Sequence, residues 1–89
     1  MKVGDIVLLK DIEDVAYLVG NIIYHDKETE EIVYDKRYPN TIPPFGKKMV
    51  IVKIEERMSP NSIAIAARNR KNDWKHWWWI PERYIKEIL

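Results

Sequence analysis

Residues 68–79 (RNRKNDWKHWWW) set Arg68, Arg70, Lys71 and Lys75 beside Trp74, Trp77, Trp78 and Trp79. Indole faces stack on nucleobases or on a partner's side chains, while guanidinium and ammonium groups neutralise phosphates or carboxylates. Tryptophan and arginine also anchor protein interfaces more often than most residue types. The chemistry suggested by this stretch is recognition. Groups that make or break bonds are sparse. There is no cysteine, and the two histidines, His25 and His76, fall on different predicted elements without a metal-binding spacing. A metal would need carboxylates gathered from across the fold, so neither a metal nor a cofactor is expected. Ser59 and Ser62 lie in or beside a turn with no Gly-x-Ser-x-Gly elbow around them. Gly4, Gly20 and Gly46 stand alone, which leaves no phosphate-cradling loop of the usual form. Adjacent acids such as Glu30-Glu31 and Glu55-Glu56 point apart on an extended chain and do not converge as a proton-transfer pair. The expectation is a protein that is not an enzyme.

The elements that must position this cluster read mainly as strands. Ile6 to Leu9 is a short run of branched residues after a Gly-Asp turn. Asp11 to Asp14 reads as an acidic break. Residues 21–25 (NIIYH) and 31–35 (EIVYD) flank a polar loop and predict a hairpin. Residues 38–46 (YPNTIPPFG) form a non-repetitive connection, stiffened by Pro39, Pro43 and Pro44. A recognition role for those prolines with Phe45 is the alternative. The next strand, Lys47 to Glu56, places Val50, Val52 and Ile54 on one face, with Met49, Ile51 and Lys53 on the other. Ser59-Pro60-Asn61 reads as a turn.

Ser62 to Ala67 points Ile63, Ile65 and Ala67 inward, leaving Ala64 and Ala66 small enough for a bulky neighbour to lie across them. Trp74 to Ile80 reads as one strand, with Trp78 and Ile80 opposite Trp77 and Trp79. At least two of the four tryptophans are expected to be structural, because aromatic burial dominates small cores. Pro81 to Tyr84 predicts a single helical or 3₁₀ turn, and Ile85 to Leu89 a closing strand.

Eighty-nine residues make one domain, 1–89, and the longest apolar runs fall far short of a membrane span. The opening residues do not read as a signal peptide, so the expected compartment is the cytoplasm. Net charge is +1, yet the halves differ. Residues 1–45 hold five Lys/Arg and nine Asp/Glu (net −4); residues 46–89 hold ten and five (net +5). Such asymmetry either pairs across the fold or marks a basic binding face. The acids of the 26–31 loop form a solvated hairpin end or, alternatively, a docking surface.

Three pieces carry a family resemblance. Lys2 to Leu9 (KVGDIVLL) resembles the Gly-Asp turn and first strand of Src-homology-3 and related barrels. Trp79 to Ile88 (WIPERYIKEI) resembles their closing segment, in which an aromatic strand runs through proline and a 3₁₀ turn into a short last strand. Phe45 to Ile54 (FGKKMVIVKI) is similar to the central strand of small SH3-like proteins frequent in bacteriophage genomes. The resemblance implies a small SH3-like barrel of about five strands, with residues 11–45 as a long first loop carrying an inserted hairpin. Pro81 and Tyr84 match the closing pair of peptide-binding members, and Asp11, Glu13 and Asp14 supply an acidic first loop. The tryptophans sit in the fourth strand and not at the family's groove position, which weakens the case for a proline-rich-peptide groove.

The expected function is a non-catalytic interaction module, phage- or mobile-element-encoded, that binds a host or phage protein. Its contact surface would comprise Trp74, Trp77, Trp79, Arg68, Arg70 and Tyr84, and alanine at Trp77 or Trp79 would abolish capture without unfolding the chain. Nucleic-acid binding through Arg68, Arg70, Lys71, Lys75 and Trp77 is the alternative. The small net charge ranks it second. No membrane and no small-molecule substrate are expected.

Overall fold

A computed structural model describes residues 1–20, 23–37, 42–56 and 62–89. The chain is mainly β, with two antiparallel sheets and a few 3₁₀ turns. Its strands are β1 (Ile6–Leu9), β2 (Ala16–Val19), β3 (Ile23–Asp26), β4 (Ile32–Asp35), β5 (Lys48–Glu55), β6 (Ser62–Ala66), β7 (Trp78–Pro81) and β8 (Ile85–Ile88). One helical turn, α1 (Ile12–Val15), lies between β1 and β2. Five strands form one sheet in the order β7-β6-β5-β1-β8, and β2-β3-β4 form a second, three-stranded sheet.

The inward face of the larger sheet makes the core. Val7, Leu9, Ile51, Ile63, Ile65 and Ile80 are fully buried, joined by Met49 and Tyr84. Each buried branched side chain contributes about 2 kcal/mol of apolar transfer. The alternation expected of residues 62–67 holds. Ile63 and Ile65 are core residues, Ala67 packs against them, and Ala64 and Ala66 point to the outer face.

Strand β5 departs from simple alternation. Its register against β6 slips between Ile51 and Lys53, so Ile51 pairs with Ile65, Lys53 with Ala64 and Ile54 with Ile63. This β-bulge carries Ile54 to the inner face with Met49 and Ile51, and turns Lys53 outward with Val50. The face assignment read from the sequence fails after Ile51 because a bulge adds one residue to one strand only.

Gly4 and Gly46 enter strands through left-handed backbone, where a side chain would be strained. Gly4 (φ +96) turns the chain into β1, and its N–H donates to the Ile51 carbonyl at 2.8 Å. Gly46 (φ +74) enters β5, its N–H donating to the Lys10 carbonyl at 3.0 Å, and a Cβ there would meet Asp11 Oδ1 at 2.7 Å. Gly46→Ala is expected to destabilise by about 1–2 kcal/mol, mainly through the left-handed backbone, because the exposed Asp11 side chain can move aside. Thermal unfolding of the two chains checks it.

The segment read as an acidic break is α1, which directs Ile12 and Val15, one turn apart, toward the core. It leads straight into β2. The predicted hairpin is present as β3 and β4, extended by β2 into three strands. Asn21 and Ile22 of the expected hairpin, residues 38–41 with Pro39, and the expected Ser59-Pro60-Asn61 turn lie outside the described residues. The closing segment is as expected: Pro81 precedes a 3₁₀ turn at Glu82–Tyr84, and β8 pairs with β1. Among the described residues no helix is long and apolar enough to cross a membrane.

Candidate functional site: the outer face and the tryptophan loop

The tryptophan segment is not one strand. After β6 the chain makes a 3₁₀ turn at Arg68–Arg70 and another at Trp74–His76, and only Trp78–Pro81 is extended. Asp73 explains the departure. Its Oδ1 accepts the Lys75 N–H (3.3 Å), its Oδ2 meets His76 Nδ1 at 2.6 Å, and Arg70 Nη1 lies 3.5 Å away. A carboxylate only accepts, so the imidazole carries its proton on Nδ1. Desolvation pushes the Asp73 carboxyl up. The His76 bond and charge, the Lys75 N–H and the Arg70 charge outweigh it and hold the group below the usual carboxylate range. An aspartate that satisfies local N–H groups in this way turns the chain where alternation alone predicts a strand.

The four tryptophans divide by environment. Trp78 lies opposite Ile65 and packs against the core, lining an apolar hollow with Ile12, Pro43, Pro44 and Phe45. Trp77 is half-buried, and its indole N–H donates to the Lys71 carbonyl at 3.1 Å, which ties the two ends of the loop together. These two are structural, as expected of at least two of the four. Trp74 is 70% exposed and Trp79 51% exposed. Lys75 Nζ lies 5.9 Å from the Trp74 ring centroid, and Lys53 Nζ lies 6.0 Å from that of Trp79.

The row Lys53, Ala64, Trp79 runs across β5, β6 and β7 on the outer face. Ala64 is completely buried beneath its neighbours, so the small side chain lets the flanking groups close over the strand. Sequence reasoning missed Lys53 because it faces this way only through the bulge.

The cations play unequal parts. Arg70 is drawn to Asp73, whereas Arg68 and Lys71 form no ion pair with a described carboxylate and line a groove beside the outer face. Tyr84 must be withdrawn from the expected contact surface. It is buried, and its hydroxyl donates to Asp26.

That bond belongs to a second polar cluster with no precedent in the sequence reading. Asp26, 1% exposed, accepts from the Tyr84 hydroxyl, from Arg83 Nη2 at 2.8 Å, and from the Glu28 and Thr29 N–H groups at 2.7 and 3.1 Å. Burial alone would raise its pKa. The Tyr84 hydroxyl, the Arg83 guanidinium and the two backbone groups instead lower it to about 2. Desolvation and the same hydrogen bond drive the Tyr84 phenol well above its ordinary value. Arg83 also lies over the Tyr84 ring, 5.1 Å from its centroid. The cluster fastens the three-stranded sheet to the turn before β8; Arg83 Nε is buried in it without a hydrogen bond, 3.4 Å from Glu28 Oε2.

Among the described residues, no three or more His, Asp or Glu side chains are placed to hold a metal ion. No protein-family model, curated protein or solved structure matches the chain.

Proposed function

We propose that the chain is a non-catalytic interaction module that binds a protein partner through Trp74 and Trp79 together with the cations beside them. The observation that carries this reading is the exposure of two indoles, at 70% and 51%, on a chain whose other two tryptophans are drawn into its structure. Exposed large aromatics flanked by cations are the usual anchors of a protein interface.

The finer fold assignment, an SH3-like barrel, is part of the same proposal. Its support is a first and last strand that pair directly, a long excursion carrying its own small sheet between β1 and β5, and a single 3₁₀ turn before the last strand. The resemblance to small phage proteins supports a phage- or mobile-element-encoded module acting in the cytoplasm on a host or phage protein. Burial of Tyr84 speaks against a proline-rich-peptide groove built on the closing Pro/Tyr pair.

One observation favours the nucleic-acid alternative: a lysine ammonium lies near each exposed indole. A base stacked on the ring would have a cation at hand for its phosphate. Panning a random peptide display library on the protein separates the two readings. The expected result is enriched peptides whose binding fails on the Trp74→Ala, Trp79→Ala double variant. Absence of enrichment, together with salt-sensitive binding of oligothymidylate, overturns the proposal.

A further inference from the structure

The outer face of the larger sheet carries a groove of about 400 Å³. Its floor is aliphatic: Val3, Ile6, Val50 and Val52, with Ile6 and Val50 paired across β1 and β5. Val50 points outward but is only 6% exposed, so its neighbours largely cover it and the open apolar surface is that of Val3, Ile6 and Val52. Its rim is cationic, formed by Arg68 and Lys71 of the loop after β6. The Trp77 indole N–H bonded to the Lys71 carbonyl holds that rim in place before any ligand arrives.

Asp73 engages Arg70 and His76 but neither Arg68 nor Lys71, so these two exposed cations lack a counter-charge among the described residues. An aliphatic floor with an uncompensated basic rim is complementary to an aliphatic side chain flanked by carboxylates. It is a poor seat for a nucleobase, since it offers no aromatic face on which to stack.

We propose that this groove receives an extended acidic segment of the protein partner, an aliphatic side chain resting on Ile6 and Val52 while neighbouring carboxylates meet Arg68 and Lys71. The inference rests on the reading of the chain as a protein-binding module, and adds the chemistry of the bound segment.

The test is a titration of the full chain, followed by calorimetry, with a capped hexapeptide alternating leucine and glutamate. Its leucine–lysine counterpart and a short oligothymidylate serve as comparison probes. The expected result is saturable binding of the glutamate peptide alone, weakened by salt. The Arg68→Glu, Lys71→Glu double variant should lower that affinity by about tenfold or more. Both positions are exposed, and circular dichroism establishes that the variant folds. Arg68→Gln with Lys71→Gln gives a milder loss in the same direction.

Equal binding of the two peptides, or an affinity untouched by charge reversal, overturns the inference. So does self-association in sedimentation that both double variants abolish, because the groove would then serve a second copy. Display-selected peptides that need Trp74 and Trp79 but ignore Arg68 and Lys71 also overturn it while leaving the module standing. Binding of oligothymidylate in place of any peptide overturns both.

Discussion

Asp26→Ala is expected to lower the unfolding free energy by about 3–5 kcal/mol, the cost of breaking a buried, hydrogen-bonded charge pair from one side. Four donors converge on this carboxylate, and the substitution leaves the Arg83 guanidinium and the Tyr84 hydroxyl without their acceptor. For a domain whose total stability lies in the range of about 5–15 kcal/mol, that loss brings the chain close to unfolding at ambient temperature. Tyr84→Phe removes one donor and keeps the ring, so a smaller loss of about 1 kcal/mol is expected.

The same carboxylate gives the fold an acid limit. The hydrogen bonds to Asp26 hold its pKa at about 2 in the folded chain, below the ordinary 3.8. A depressed folded-state pKa means that the unfolded chain takes up the proton first as pH falls. The stabilisation, about 2 kcal/mol, is complete above the unfolded value and is lost as pH drops from about 4 through about 2. Urea unfolding across that window should show the loss in the native chain and a smaller one in Asp26→Asn. Equal acid sensitivity in the two chains would show that Asp26 does not set the limit.

The second large effect separates binding from folding. Trp74→Ala and Trp79→Ala remove exposed side chains, so each is expected to change stability by less than about 1 kcal/mol. As anchors of the proposed interface, each should weaken capture of a display-selected peptide by about 2 kcal/mol or more, roughly thirtyfold. Trp77→Ala behaves differently. It removes the donor to the Lys71 carbonyl and a half-buried ring, and about 2 kcal/mol of stability goes with it. Strand alternation places Trp77 and Trp79 on one face, but the bond to Lys71 separates their roles. Urea midpoints and peptide affinities of the three variants decide it. An unfolded Trp79→Ala chain would mean that Trp79 is a core residue.

Much of the larger sheet was legible because it rests on local alternation. The Ser62–Ala66 pattern, the Trp78/Trp79 facing and the Pro81 turn are each determined within a few residues. The bulge after Ile51 was not, because a bulge is a property of two strands in register. Strand β2 was overlooked, since four residues directly after a helical turn show too little of any period.

The division of the tryptophans depended on Asp73, whose bonds to Lys75 and His76 replace a strand with a 3₁₀ turn. Least legible was the Asp26–Tyr84 contact, which joins positions 58 residues apart. Asp26 announces itself locally only as a turn aspartate that accepts the Glu28 and Thr29 N–H groups. Nothing within its own segment discloses that the rest of its hydrogen-bonding capacity is spent on the end of the chain.

The central claim is that the exposed indoles and their cations serve a protein partner. Its most direct test is a low-salt titration of the chain with fluorescently labelled single- and double-stranded DNA and RNA, following tryptophan emission in parallel. No saturable binding and unchanged emission are expected. Saturable binding that quenches the tryptophans and weakens steeply with added salt would contradict it, and would make Trp74 and Trp79 a stacking platform for nucleic acid.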